Sequence, residues 1–178
     1  MKTQLALILT LLLGLSTSLN AQQEPRTFHK NIYVELLGSS LLAGANFDMR
    51  LRSNRIDGIG FRAGIGGLPS SMFKYSSLDI GVVTFPLEFN NVVGKNRNSF
   101  ISGIGILPAY ATASGNHNGD LVQEDGFGLL GGFFNLGYRL QPKRNGGFMM
   151  QATWNPIILN GTGLKLGWIG LGFGIGFK

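Results

Sequence analysis

The sequence predicts an all-β fold, an eight-stranded antiparallel up-and-down transmembrane β-barrel that follows a cleaved signal peptide. Three observations carry this reading. The N-terminus has the ordered features of a secretory signal. Segments that alternate bulky apolar residues with polar residues or glycine recur along the rest of the chain. No stretch after Leu15 approaches the ~20 apolar residues of a spanning helix, so a membrane-embedded chain must close as a barrel.

The N-terminal segment comes first. Lys2 supplies a basic start, Leu5 to Leu15 (LALILTLLLGL) is an apolar run too short to span a bilayer, and Ser16 to Ala21 is small and polar. That order favours a signal peptide over a buried N-terminal helix. Cleavage is expected after Ala21, with Leu19 bulkier than such sites prefer. Residues 1–21 are then the signal and 22–178 one barrel domain. The composition fits: 28 glycines, 6 prolines and 44% hydrophobic residues in 178 exclude a disordered low-complexity chain. The absence of cysteine excludes a cysteine-anchored lipoprotein, a disulfide framework and a thiol nucleophile. The formal charge of +6 is scattered in small clusters, so no nucleic-acid partner is expected.

Eight strands are predicted, over Asn31 to Gly38, Ala43 to Arg52, Gly58 to Gly66, Leu78 to Asn90, Ser99 to Ala111, Gly126 to Leu140, Gly147 to Ile157 and Leu164 to Phe177. In the second, Ala45, Phe47, Met49 and Leu51 share one face and Asn46, Asp48, Arg50 and Arg52 the other. In the third, Ile59, Phe61, Ala63 and Ile65 oppose Gly58, Gly60, Arg62, Gly64 and Gly66. In the last, Ile169, Leu171, Phe173, Ile175 and Phe177 alternate with four glycines. A sandwich core built on glycine faces would be poorly filled. A small barrel whose bare inner faces make room for Arg50, Arg62 and Arg139 would be well filled, with the apolar faces turned to lipid.

The connections alternate as well. Ser53 to Asp57, Gly94 to Asn98 and Gln141 to Gly146 are short and basic, Gly67 to Ser77 and Ala113 to Asp125 are longer, and those near Ser39 and Asn160 are short. With both termini periplasmic, the basic connections fall on the periplasmic side and the two long loops outside, as in outer-membrane barrels.

Several phrases carry a resemblance. Gly137-Tyr138-Arg139 with Gln141-Pro142 and Gly146-Gly147-Phe148, then Trp154-Asn155-Pro156, resembles a family of small, mostly uncharacterised outer-membrane β-barrel proteins of Bacteroidetes. Pro86-Leu87, Asn90, Gly94-Lys95 and Gly103-Ile104-Gly105 resemble a turn and following strand of that family, and Ile32 to Gly38 resembles its first strand. Where the family often has a histidine and a glutamate after the Gly-Lys turn, this chain has Ser99, Phe100 and Ser102; its last strand is richer in glycine, and Lys178 follows the terminal aromatic. The resemblance implies the fold and an outer-membrane location in a Gram-negative cell. It brings no activity, catalytic residue or ligand.

The remaining residues are weighed for chemistry. The alternating Leu171, Phe173, Ile175 and Phe177 resemble a terminal strand that engages barrel assembly machinery. His29 precedes the first strand; His117 lies near Ser114, Asp120, Glu124 and Asp125 in the longest loop. A hydrolytic triad needs its base held against both partners, and the Asn116-His117-Asn118-Gly119 tip reads instead as a solvated loop. Asp120, Glu124 and Asp125 lack the regular spacing of a calcium loop, and Gly103-x-Gly105 has no helix after it and reads as packing rather than a phosphate loop. No metal, cofactor or catalytic residue is expected. The polar candidates for the lumen are Glu35, Asp48, Arg50, Arg52, Arg62, Glu88, Asn135 and Arg139. Inside eight strands there is room for little beyond side chains, so they are expected to plug the barrel rather than line a pore. The expected protein is a monomer in outer-membrane lipid with a structural or surface-interaction role. The alternatives are a lipid-modifying barrel enzyme using His117 and a soluble lipocalin-like carrier.

Overall fold

The computed structural model describes residues 30–52, 55–70, 74–75, 78–94, 97–117, 120–142 and 146–178. The signal segment and His29 lie outside the described residues. Among the described residues twelve strands form one sheet: β1 Lys30–Leu37, β2 Ala43–Arg50, β3 Gly58–Leu68, β4 Lys74–Tyr75, β5 Leu78–Thr84, β6 Leu87–Val93, β7 Asn98–His117, β8 Asp120–Leu140, β9 Gly147–Trp154, β10 Ile157–Leu159, β11 Gly163–Lys165 and β12 Ile169–Phe177. A 3-10 turn, Gly38–Ser40, follows β1. No helix among the described residues is long and apolar enough to cross a membrane.

Every ladder between these strands is antiparallel. β1 lies between β2 and β12, with Glu35 opposite both Gly44 and Gly172. β3 pairs β2 along one edge and β6, then β5, along the other. β7 pairs β6 and β5, and β8 pairs β7. β9 and β10 both pair β8, and β9 pairs β12.

Twelve strands replace the eight expected. Proline accounts for two of the breaks, because it has no N–H to give a ladder. Pro86 divides the segment expected over 78–90 into β5 and β6, and Pro156 divides the one over 147–157 into β9 and β10. Hydrogen bonds bridge both breaks: Gly64 N–H to Pro86 O at 2.9 Å, Phe85 N–H to Pro108 O at 2.8 Å, and Phe134 N–H to Pro156 O at 2.9 Å. The last expected strand is interrupted over 166–168, and β4 is a two-residue addition inside an expected loop.

The stretch from Ala113 to Asp125, expected as a loop, is largely strand. β7 and β8 stay paired out to His117 opposite Asp120, with one irregularity at Leu107/Pro108. Polar and glycine-rich composition argued for a loop, but cross-strand pairing, reinforced by β5 along Ala109 to Gly115, outweighs intrinsic preference.

Along the strands, burial alternates with period two. In β2, Asn46, Asp48 and Arg50 are buried while Ala45 and Phe47 are exposed. In β12, Ile169 is 57% and Phe173 41% exposed, and Gly170 and Gly172 are buried. The polarity of the molecule is thus inverted. Arg50, Arg62, Arg139 and Tyr33 are among its largest fully buried side chains, while Ile32, Val34, Phe61, Phe89 and Ile104 lie outside. Glycine makes this possible by close approach. A Cβ at Gly60 would stand 2.3 Å from Arg50 Cζ, and one at Gly103 2.2 Å from Glu88 Oε1.

Candidate functional site, a charge network inside the sheet

Alternation delivers the interior residues from different strands: Tyr33 and Glu35 from β1, Asp48 and Arg50 from β2, Arg62 from β3, Glu88 and Asn90 from β6, Asn135 and Arg139 from β8, Gln151 from β9. A charge moved into such a place is costly unless it is paired and hydrogen-bonded. Three guanidinium groups meet three carboxylates here.

Arg62 is the hub of one half. It lies 3.2 Å from Glu35 Oε1 and 2.7 Å from Glu88 Oε2. It also donates to the Tyr33 hydroxyl at 3.1 Å and to Ser39 Oγ. Its guanidinium lies 5.5 Å from the Phe133 ring centroid, within cation–π range. Ser39 and Ser40 donate to Glu35 Oε2 at 3.1 and 3.0 Å, and Asn135 donates to Glu88 Oε1 at 2.9 Å.

Asp48 is the hub of the other half. It takes Arg139 at 2.5 Å on Oδ2 and is ion-paired with Arg50 through Oδ1. Asn90 and Asn31 add hydrogen bonds at 3.0 and 3.3 Å. Arg139 gives two more to Gln151 Oε1, at 3.1 and 2.9 Å, and Arg50 donates to Gly58 O at 2.9 Å. One half holds two carboxylates on one arginine and the other two arginines on one carboxylate, so only the two together are neutral.

Both ends of the interior are covered by the chain itself. At one end the 3-10 turn folds inward: Ser39 and Ser40 are fully buried, and the Trp168 indole donates to Gly38 O. Leu41 joins Leu107, Phe133 and Ile157 in a small apolar cluster there. Leu37 (φ 59°) and Leu41 (φ 68°) flank the turn at positive φ, a strained conformation for leucine. At the other end Ile56 is buried, and Gln141 donates to its carbonyl at 3.1 Å. Beyond that end, hydrogen bonds to Asp57 raise the Arg55 guanidinium above its ordinary value.

The structure brings together Glu35, Asp48, Arg50, Arg62, Glu88, Asn135 and Arg139. Arg52 is exposed, because β2 ends at Arg50 and the chain bends away. Tyr33, Asn90 and Gln151 were missed as partners, although Asn31, Tyr33 and Glu35 alternate and Asn90 is two residues from Glu88. Ser39 and Ser40 carry no such signal, since a turn has no period.

The backbone separates the groups around His117 along two strands. Along β7, His117 stands three positions from Ser114, ~10 Å of extended chain. Glu124 and Asp125 are consecutive in β8 and so face opposite sides. Asp125 accepts the Tyr110 hydroxyl. Among the described residues no group of histidine and carboxylate side chains is placed to hold a metal.

No family model and no curated protein matches the sequence. Solved structures do resemble it, among them the following two. One is the N-terminal β-barrel domain of Pseudomonas aeruginosa OprF, with TM-score 0.51, 13% identity, and 87% of this chain and 100% of that chain covered. The other is Ail, the attachment invasion locus protein of Yersinia pestis, with TM-score 0.50, 13% identity, and 87% and 99% covered. The chain shares its fold with outer-membrane β-barrels. Identity this low carries fold alone.

Proposed function

We propose that the twelve strands make eight staves of a closed barrel in the outer membrane, with a structural or surface-interaction role rather than catalysis or wide-pore transport. β5 with β6, β9 with β10, and β11 with β12 each count as one stave, and the two-residue β4, which pairs only β5, adds none; hydrogen bonds bridge the breaks at Pro86 and Pro156. Pairing then runs from β1 through β2, β3, β6, β7, β8 and β9 to β12, which pairs β1 again.

The observation that carries this reading is the inverted polarity. A surface of exposed Ile, Leu, Val and Phe around a buried ionic network suits hydrocarbon outside and is costly in water. The apolar surface also has a membrane's height. On β7 it runs from Phe100 to Tyr110, ten steps or ~33 Å of strand. At a tilt of about 40° that spans ~25 Å, the usual outward apolar band. Aromatics mark both edges: Tyr138, bonded to Asn98 Oδ1 at 2.7 Å, and Tyr110 with Phe127. The filled interior argues against a pore, and a lipocalin-like carrier would need Ile169 and Phe173 inside, where the structure has glycine.

In this reading residues 1–21 are removed, both termini are periplasmic, β12 engages the assembly machinery, and the monomeric barrel offers the β7–β8 hairpin at the cell surface. The test is fractionation with gel migration. The mature protein should sediment with outer membranes and migrate faster unheated than boiled. A fully soluble mature protein that migrates the same with and without heating refutes the reading.

A further inference from the structure

The exposed charges are not spread evenly between the two ends of the sheet. One end holds the β2–β3, β6–β7 and β8–β9 connections together with the start of β1 and the end of β12. The registers place them side by side: Lys30 lies opposite Phe177 and Met49, Gly58 opposite Val92, Asn98 opposite Leu140, and Gly147 opposite Gly176. Among the described residues this end carries Lys30, Arg52, Arg55, Arg97 and Lys178, with Asp57 as its acid. Arg55 takes that carboxylate in two hydrogen bonds, at 2.9 and 2.8 Å. The opposite end shows the reverse balance, with Glu124, Asp125 and Lys165 exposed. Because the interior ion pairs cancel, the basic excess of the described barrel lies at one rim.

The position of that rim against the apolar surface is the second observation. Leu51, 61% exposed, precedes Arg52, and Lys178 follows Phe177 directly. Phe100 and Phe148, both exposed, sit one row in from the same edge. Basic side chains therefore begin where the apolar surface stops. In a bilayer that is headgroup depth, where each lysine or arginine is drawn to anionic lipid and its aliphatic stem can lie along the band while its charge reaches outward.

From this juxtaposition of a basic rim and an apolar edge, we propose that the protein binds the phosphate headgroups of anionic phospholipids, gathering them around the turn end of the barrel. The inference rests on the membrane-barrel reading. Arg52 and Lys178 supply exposed cations, Arg55 being matched already by Asp57, and the lipid phosphates are the complementary charge.

The test uses full-length mature protein folded into phosphatidylcholine vesicles with and without phosphatidylglycerol. Electron spin resonance then measures the immobilised fraction of spin-labelled lipid of each kind. Phosphatidylglycerol should be retained at the barrel about fivefold more strongly than phosphatidylcholine, the size expected of one basic residue near the surface. High salt should abolish that preference, and the combined variant Arg52→Gln, Lys178→Gln, whose folding is checked by heat-dependent migration, should lower it. Should the variant misfold, the salt series on the unaltered protein decides alone. Equal retention of the two lipids by an inserted barrel overturns the proposal and leaves the barrel reading standing. A preference indifferent to salt, or to the folded double variant, also overturns it. Failure to insert into either vesicle overturns both.

Discussion

Replacing Asp48 with asparagine tests whether the interior network holds the fold together. The change is nearly isosteric, so it leaves packing alone and removes one charge. Asp48 is the shared carboxylate for Arg50 and for Arg139 at 2.5 Å, and all three side chains are at most 1% exposed. The variant leaves two guanidinium groups facing a neutral amide and gives the interior an excess positive charge. Removing one partner of a buried pair typically costs about 3–5 kcal/mol, against a total stability of about 5–15 kcal/mol. Asp48→Asn should therefore lose roughly a fifth or more of the folding free energy. The assay is urea unfolding in detergent micelles, followed by the loss of the fast-migrating unheated band. Adding Arg139→Gln restores neutrality, so the double variant should be less destabilised than the sum of the two single changes. A midpoint for Asp48→Asn indistinguishable from that of Arg52→Gln, which touches an exposed side chain, would refute the reasoning.

Other consequences follow from the same geometry. Gly60→Ala forces a Cβ to within 2.4 Å of the Met49 carbonyl as well as onto Arg50, and should cost about 1–3 kcal/mol by overpacking. Gly126→Ala, with no atom within 4 Å of its new Cβ, should leave the unfolding midpoint unchanged. In planar bilayers the protein should give no steady wide-pore conductance, because the 3-10 turn and the Ile56 end cover a filled interior; a stable porin-like current would contradict the plug. His117→Ala should leave the lipid composition of producing cells unchanged, and an altered lipid profile would restore the enzyme alternative.

The pattern of alternation made much of the site legible. The period of two sets Asp48 and Arg50 on the face opposite Phe47, and Arg62 among glycines. The glycines of the last strand mark which face stays bare. What alternation hides is length and interruption. The polar stretch around Ser114 and Glu124 has a loop's composition, yet it is held as strand by a ladder from β5 and by its own hairpin. Pro86 and Pro156 are visible in the chain as breakers. That the hydrogen bonds would continue past them depends on neighbours more than twenty residues away.

The sequence by itself determined the all-β class, the two faces of each clear strand, and the set of charges available for the interior. Those properties are local, because a strand's side chains alternate whatever lies beside it. Only the tertiary structure decided which charge meets which. Asp48 and Arg139 are 91 residues apart and meet through the stagger of strands between them, and a one-residue slip would put either outside. The tertiary structure likewise decided that Ser39 and Ser40 fold inward onto Glu35 and that Arg52 turns out, because a turn has no periodicity and its direction is set by the groups it finds to bond.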